Sequence, residues 1–330
     1  MQNVADPVDV ALLNDWQRDF PIVPAPFAIL AVRLNISEDD VLQRLDRMRS
    51  AGRITRVGAT CAPNTVSAST LAALQAGPEE LEQVAEIVGD QPGVNHSYLR
   101  EDAWNIWFVA TGPDRSHVNH TLARISERTN RQVLDLRLVR PFNVDLGFRM
   151  NGKAGAVPEP RPADLSAIRD GDRDILQCLT RGLPLKSRPW AAMARHLDRS
   201  EVEVLARVAA LHDAGVIARL GVIVRHRALG WTSNAMCVWD VSHEVAGEVG
   251  PVLARVPGVT LCYERRSVEG VWPYRLYNMI HARSRPEAMT TLDQVRTLKG
   301  LKEARHKVLF STRCFKQTGA LINVKKGKAA

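Results

Sequence analysis

The sequence predicts an α+β protein made of two tandem copies of one module, a winged helix-turn-helix followed by a ferredoxin-like βαββαβ unit. Two observations carry this prediction. Short motifs of the first half return in the second half in the same order, and both halves show the same succession of helix and strand patterns. A chain of 330 residues is long enough for two to four domains, which agrees with a duplication.

The internal repeat is visible in three pairs of segments. The pairs are Ala51–Gly58 with Ala214–Gly221, Pro92–Tyr98 with Pro257–Tyr263, and Trp104–Trp107 with Tyr274–Tyr277. The offset between equivalent residues grows along the chain, from 163 residues at Gly52 and Gly215 to 170 residues at Trp104 and Tyr274. Matches in the same order with slowly growing offsets indicate a duplication with small loop insertions.

Each half opens with three helical patterns and a strand, the elements of a winged helix. The predicted helices are Val8–Phe20, Phe27–Leu34 and Glu38–Ser50 in the first half, and Asp174–Leu179, Trp190–Leu197 and Ser200–Ala214 in the second. The predicted wing strands are Ile54–Val57 and Ile217–Val224. Ser37 is expected to cap the third helix, whose first turn is acidic and whose C-terminal end lies near Gly52.

The remainder of each half alternates in the order β-α-β-β-α-β. The predicted elements are 71–74, 78–88, 95–101, 105–111, 117–128 and 133–139, and then 234–241, 243–255, 259–265, 274–282, 286–298 and 302–311. The predicted domains are winged helices at 1–60 and 165–225, ferredoxin-like domains at 61–150 and 226–322, a Gly- and Pro-rich linker at 151–164 and a disordered basic tail at 323–330.

Composition narrows the class of protein. The net charge of +8 favours a polyanionic partner such as a nucleic acid, an anionic lipid or a multiply carboxylated small molecule. Five scattered cysteines without a C-x-x-C pair argue against a disulfide framework, a zinc site or an iron–sulfur cluster. The chain shows no signal-peptide pattern and no apolar run near the roughly 20 residues that span a bilayer. A cytoplasmic protein without a membrane partner is therefore expected.

Two winged helices on a basic chain also raise the alternative of a transcriptional regulator. A DNA-recognition helix is expected to present basic and amide side chains at its N-terminal end. Here the two third helices begin with Glu38-Asp39-Asp40 and with Glu201-Val202-Glu203, which carry the wrong sign for a polyanion. Helix capping explains these acids as well, so the alternative stays open, although specific nucleic-acid binding is not expected.

Candidate site residues cluster on the predicted strands of the first half. Period-two alternation places His96, Tyr98 and Arg100 on one face of a strand, and Trp107 lies on the next strand. A face with this composition makes a poor hydrophobic core but suits the wall of an anion-binding pocket for a flat aromatic ligand. The alternative for His96 is a hydrogen-bonded histidine at an interface.

The second half carries a different set of ionisable residues. The candidates are Arg225, His226, Tyr263, Arg265, His281, Arg313 and Lys316. Leu261 stands where the first half has His96, which predicts that the two halves contribute unlike groups to one shared cleft. A solvated turn at Arg225–Arg227 and a surface position for His281 are the alternatives.

These motifs resemble the siroheme decarboxylases. The first half carries PGVNHSYLR at Pro92–Arg100 and WNIWF at Trp104–Phe108, similar to one subunit of that family. The second half carries GVIVRHRALG from Gly221 and WPYRLYNMIH from Trp272, similar to the other subunit. The family resembles Lrp/AsnC regulators in fold and occurs as two subunits or as a natural fusion, and the two-copy layout matches the fusion.

The resemblance implies removal of carbon dioxide from two acetate side chains of siroheme, giving didecarboxysiroheme for heme d1 or an alternative heme. It implies siroheme as the partner, and no cofactor or metal beyond the iron that the substrate brings, because the macrocycle can act as the electron sink. His96, His226 and His281 are then the candidate catalytic residues, as proton donors or as iron ligands. A tetrapyrrole sensor, a non-catalytic carrier and further homo-oligomerisation remain open.

Overall fold

The computed structural model describes residues 6–144 and 162–324. Most of the predicted linker and residues 325–330 of the predicted basic tail lie outside these ranges. The helices are α1 (Pro7–Asn14), α2 (Pro26–Leu34), α3 (Glu38–Ser50), α4 (Leu81–Gly89), α5 (Arg115–Thr129), α6 (Asp172–Arg181), α7 (Pro189–His196), α8 (Glu201–Asp213), α9 (His243–Leu253) and α10 (Arg285–Arg296). None of the described helices is long and apolar enough to cross a membrane.

The strands extend through both halves. They are β1 (Ile54–Cys61), β2 (Ala68–Leu74), β3 (Val94–Arg100), β4 (Ile106–Gly112), β5 (Leu134–Leu136), β6 (Leu138–Asn143), β7 (Ile217–Val224), β8 (Ser233–Trp239), β9 (Val259–Arg265), β10 (Leu276–Ala282) and β11 (His306–Gln317). The tandem winged-helix and ferredoxin-like architecture is confirmed.

Local sequence signals account for the helix ends. Ser37 Oγ accepts a hydrogen bond from the backbone N–H of Asp40, and Ser200 Oγ accepts one from Glu203, so both third helices carry the same N-cap. The bounds of α3 and its cap are confirmed. The prediction of a helix over Val8–Phe20 is wrong in its length, because α1 ends at Asn14 and Asp19 adopts a positive φ of 54°.

The wing strands of the two halves pair with each other. β1 and β7 run antiparallel, with Gly58 opposite Gly221 at the centre, and they form a two-stranded sheet that we call the wing ribbon. A Cβ on Gly58 would lie 2.4 Å from the carbonyl oxygen of Leu179, and one on Gly221 would lie 2.3 Å from that of Trp16. The last turn of α6 therefore packs against β1, and the segment that follows α1 packs against β7, with glycine permitting the close approach on each wing strand.

A nine-stranded sheet joins the ferredoxin-like halves in the order β5-β2-β4-β3-β11-β8-β10-β9-β6. The last strand segment of each half, β5 with β6 in the first and β11 in the second, pairs partly with its own half and partly with the other. β5 pairs with β2 of its own half, whereas β6, one residue later, pairs with β9 of the other half. In the same way the first part of β11 pairs with β8 and its second part with β3. We call these segments the exchanged strands.

The exchanged strands correct two sequence predictions. One strand was expected over 133–139 and another over 302–311, but the chain forms two strands over 134–143 and extends β11 to Gln317. Their extra residues pair only with the other half, which a local pattern does not reveal. Helices cover the outer faces of the sheet, and an inner core that includes Trp107, Met236 and Tyr277 lies between the two halves.

Candidate functional site

A cavity of ≈ 430 Å³ lies between the wing ribbon and the inner face of the sheet. Equivalent residues of both halves line it, among them Leu71 and Met236 from β2 and β8, and Tyr98 and Tyr263 from β3 and β9. The cavity therefore lies across the internal pseudo-twofold axis. Its volume falls within the roughly 300–1,000 Å³ of small-molecule sites.

The three predicted histidines line this cavity. His96 lies on β3, His281 lies on β10, and His226 opens the short 3₁₀ helix His226–Leu229 that follows β7. The ring centroids of His226 and His281 are 4.8 Å apart, and His96 stacks on Tyr98 with centroids 6.3 Å apart. Strands from both halves thus bring the histidines into one site.

Hydrogen bonds hold the ring of His281 in one orientation. Thr260 Oγ1 donates to the carbonyl oxygen of Met279, so it accepts a hydrogen bond from His281 Nδ1 at 2.7 Å. Asn234 Nδ2 donates to His281 Nε2 at 2.8 Å, which agrees with a neutral ring protonated on Nδ1. With only 4% of its surface exposed, His281 is not the surface residue of the alternative interpretation.

Burial and neighbouring cations keep these imidazoles uncharged. Burial, together with a smaller effect of the charge of Arg56, lowers the pKa of His96 to about 4. Burial lowers the pKa of His226 to about 4, with contributions from Arg219 and His96. The pKa of His281 is also lowered, first by burial. At neutral pH the ligand-free cavity therefore holds neutral histidines, and an anionic ligand would favour their protonation.

The predicted residues Tyr98, Arg100, Trp107 and Tyr263 also line the cavity. Arg100 is 6% exposed, its Nη1 donates to the carbonyl oxygen of Leu309 at 3.1 Å, and its Nε has no hydrogen-bond partner among the described residues. Among the lining residues that the structure describes there is no Asp, Glu or Lys. The cavity thus combines cations and aromatic rings, which suits a flat, multiply anionic ligand.

Four predicted binding residues lie outside the lining. Arg225 is exposed beyond the end of β7, next to Gly52. The Arg265 guanidinium lies 4.5 Å from the Tyr263 ring centroid, and its Nη1 donates to the carbonyl oxygen of Leu136. Arg265 can support the orientation of Tyr263, but it does not reach the cavity.

Arg313 and Lys316 lie on the opposite face of the sheet. Arg313 pairs with Glu82, and Lys316 Nζ donates to the carbonyl oxygens of Gly89 and Gln91. Two register shifts in β11, between Ser311 and Arg313 and between Cys314 and Lys316, determine which of its residues face α4. Contrary to expectation, neither Arg313 nor Lys316, both predicted to bind the substrate, lines the cavity.

The structure also adds residues that the sequence analysis missed. Arg56 and Arg219, at equivalent positions of the two wing strands, line the cavity, and so does Asn234. An arginine kept in both copies of the first repeat, AGRITRVG and AGVIARLG, is the signal that could have identified the pair.

The positions equivalent to the histidines carry no ionisable group. Across the pseudo-twofold axis, Leu261 corresponds to His96, Pro63 to His226 and Thr111 to His281, and all three line the same cavity. The correspondence of Thr111 and His281 also follows from strand register, because Ser69 pairs with Thr111 as Asn234 pairs with His281. The site is therefore asymmetric within a symmetric fold.

Comparisons with known proteins agree with this architecture. The profile of the AsnC-like ligand binding domain matches residues 66–142 and 228–316, and that of the siroheme decarboxylase NirDL-like HTH domain matches residues 9–54 and 172–217. The siroheme decarboxylase NirDL subunit of Paracoccus denitrificans is 51% identical over 317 residues, which cover 96% of this chain and 98% of that one.

Two further matches concern one half and the whole structure. The siroheme decarboxylase NirD subunit of Stutzerimonas stutzeri is 39% identical over 43% of this chain and 94% of its own length. The crystal structure of the siroheme decarboxylase NirDL in co-complex with an iron-uroporphyrin III analogue matches with a TM-score of 0.68 and 26% identity, covering 96% of this chain and 94% of that one.

Proposed function

The chain belongs to the siroheme decarboxylases of the NirDL type, and from this we propose that it removes carbon dioxide from two acetate side chains of siroheme. The product is didecarboxysiroheme, an intermediate for heme d1. The observation that carries this proposal is the convergence of three histidines from both halves in a cavity whose described lining holds three arginines and no acid.

The lining suits the chemistry of the substrate. Siroheme has a broad flat macrocycle with eight carboxylates, so aromatic side chains can contact its faces and guanidinium groups can bind its edges. Trp107, Tyr98 and Tyr263 supply the rings, and Arg100 supplies a buried cation. We propose that the protein holds no cofactor of its own.

Each decarboxylation requires one proton. The bond between the methylene carbon and the carboxylate breaks, carbon dioxide leaves, and the electron pair stays on the methylene, where the macrocycle delocalises it. A proton delivered to that carbon then gives a methyl group. We assign this proton to His96, because His281 has both ring nitrogens hydrogen-bonded within the protein. Substrate carboxylates would raise the pKa of His96 from about 4 and allow it to bind the proton.

Turnover of siroheme by the purified full chain tests the proposal. The protein is incubated anaerobically with siroheme, and the tetrapyrroles are extracted and analysed by mass spectrometry. We expect the loss of two carbon dioxide units. An unchanged mass together with a shifted absorption spectrum would instead identify a non-catalytic carrier.

The cellular setting follows as a proposal as well. Cys61, Cys178, Cys237, Cys262 and Cys314 are all free thiols. Free cysteines support a reducing, cytoplasmic location. Weak, sequence-independent DNA binding and further self-association stay predictions.

A further inference from the structure

The wing ribbon carries an arginine whose environment points to an anionic ligand. Arg56 lies on β1 and Arg219 lies at the equivalent position of β7, and both side chains line the cavity. The histidines serve the proton chemistry described above, whereas the side chain of Arg56 makes no ion pair with any described residue and is available to a ligand. We propose that Arg56 binds a carboxylate of the substrate that does not react, and so orients the substrate relative to His96.

The first support is that Arg56 has no acidic partner among residues 6–144 and 162–324. In the described residues its guanidinium makes one hydrogen bond, from Nη2 to the carbonyl oxygen of Ala59 at 3.3 Å, and its buried Nε makes none. Burial and the charge of Arg219 lower the pKa of Arg56 to about 10. Keeping the Arg56 guanidinium charged at this position therefore costs free energy in the ligand-free protein. A carboxylate ligand would supply the missing acceptor.

The second support is the path of the side chain. A Cβ on Gly182 would lie 2.9 Å from Arg56 Cβ, and one on Gly58 would lie 3.3 Å from both Cδ and Nε. Two glycines therefore leave the space along which the arginine side chain extends. Gly182 adopts a φ of 122°, a conformation that favours glycine.

The third support is the position of Arg56 relative to the proposed proton donor. Arg56 and His96 line the same cavity, and the positive charge of Arg56 contributes to the lowered pKa of His96. An arginine bound to the reacting carboxylate would stabilise the ground state and oppose loss of its charge as carbon dioxide. A carboxylate on Arg56 is therefore a neighbouring one, and its capture places the reacting acetate beside His96.

This inference rests on the proposed function only for the identity of the ligand, so we test binding separately from turnover. Iron uroporphyrin III carries eight carboxylates and protoheme carries two, and both can be titrated by absorbance into the full-length protein. A lost hydrogen bond to a charged group costs about 1.5–3 kcal/mol, or roughly 10- to 100-fold in affinity. We expect Arg56→Gln to weaken binding of iron uroporphyrin by at least about tenfold and binding of protoheme by less than about threefold.

Two further variants complete the test. Arg313→Gln removes the same charge outside the cavity and should bind both porphyrins as the wild type does. Arg56→Lys keeps the charge but loses the planar fork, so its affinity for iron uroporphyrin should lie between those of the wild type and Arg56→Gln. The melting temperature of ligand-free Arg56→Gln should not fall, because a buried cation without an acidic partner has been removed.

Three results would overturn the inference: wild-type affinity of Arg56→Gln for iron uroporphyrin, an equal loss for both porphyrins, or an equal loss in Arg313→Gln. Should Arg56→Gln fail to fold, wild-type affinity in a folded Arg56→Lys would overturn the bidentate contact. If the wild type binds iron uroporphyrin through Arg56 but does not decarboxylate siroheme, the proposed function fails and the carboxylate site stands.

Discussion

Each half of the chain contributes one side of the cavity, so equivalent positions on the two sides can be compared directly. Two pairs of groups that can bind an anion or a flat ring are kept on both sides, Arg56 with Arg219 and Tyr98 with Tyr263, whereas Arg100 lines the cavity and its equivalent Arg265 does not. Groups that can accept and release a proton are found at only one of each pair of equivalent positions. His96 of the first half corresponds to Leu261, and His226 and His281 of the second half correspond to Pro63 and Thr111.

This difference between the kept and the unpaired residues separates binding of the macrocycle from delivery of the proton. A macrocycle with carboxylates around its whole edge can be bound from both sides, so symmetric contacts remain useful after duplication. Proton delivery requires one donor in one position, so the second copy of each histidine has no necessary role. The supporting contacts are symmetric too, because Arg100 and Arg265 donate to the carbonyl oxygens of Leu309 and Leu136, which are themselves equivalent.

The largest expected effect comes from removing the histidine of β3. His96→Ala should lower turnover at saturating siroheme by at least about 100-fold, since general acid catalysis contributes roughly 10²–10⁴-fold. The matched variant is Leu261→Ala, at the equivalent position of β9, and it should keep turnover within about threefold. Initial rates of carbon dioxide release measure both variants. Comparable losses at the two positions would show that the two sides do not differ in chemistry.

The second prediction concerns a feature that the halves share. Gly58→Ala and Gly221→Ala each place a methyl group against a backbone oxygen, at 2.4 Å and 2.3 Å. Each should lower the free energy of unfolding by about 2 kcal/mol, within the range of overpacked sites. Denaturant titration of the ligand-free protein measures this, with Gly89→Ala as the control, because no described atom beyond its chain neighbours and its own helix backbone lies within 4 Å of the added Cβ there. A large effect at only one of the two glycines would contradict a symmetric ribbon.

The third prediction uses the lowered pKa of His96. Its folded-state pKa of about 4 lies below the usual histidine value of about 6.5, so the folded protein resists protonation of His96. Its stabilising contribution is complete above about pH 6.5 and is lost as the pH falls toward about 4, by at most roughly 1.4 kcal/mol per pH unit.

The variant His96→Leu, which copies the residue of β9, tests this contribution. Between pH 7 and pH 5 its melting temperature should fall less than that of the wild type, with both proteins free of ligand. An equal fall in melting temperature for the two proteins would show that the pKa of His96 is not lowered in the folded state. Leu261→Ala serves here as the control for altered packing.

The sequence predicted those features that local signals determine. The cap at Ser37, the bounds of α3 and the strands β7 and β9 follow from side chains within a few residues. The motif around His96 and the duplication predicted the shared cavity, because Leu261 stands in place of His96 within an otherwise recognisable repeat, which indicates that the two copies have diverged in function.

Other features depend on partners far away in sequence. Nothing local shows that β6 pairs with β9, or that β11 continues along β3. The shifts in β11 turned Arg313 and Lys316 toward α4, and a single-residue slip is enough to reverse a side chain. Arg56 was missed because an arginine on a wing strand is expected to face solvent unless the second wing is known to cover a cavity.

The exchanged strands have a consequence for how a complete site is assembled in the cell. A complete set of histidines requires one first half and one second half, interlocked through β6 and β11. Free subunits of similar fold could also associate with copies of themselves, and each such pair would lack part of the set. When both halves are parts of one chain, they are always made in a 1:1 ratio. Their association is then intramolecular, and each half is present near the other at an effective concentration of about millimolar. The number of working sites then follows the number of chains, however dilute the protein becomes.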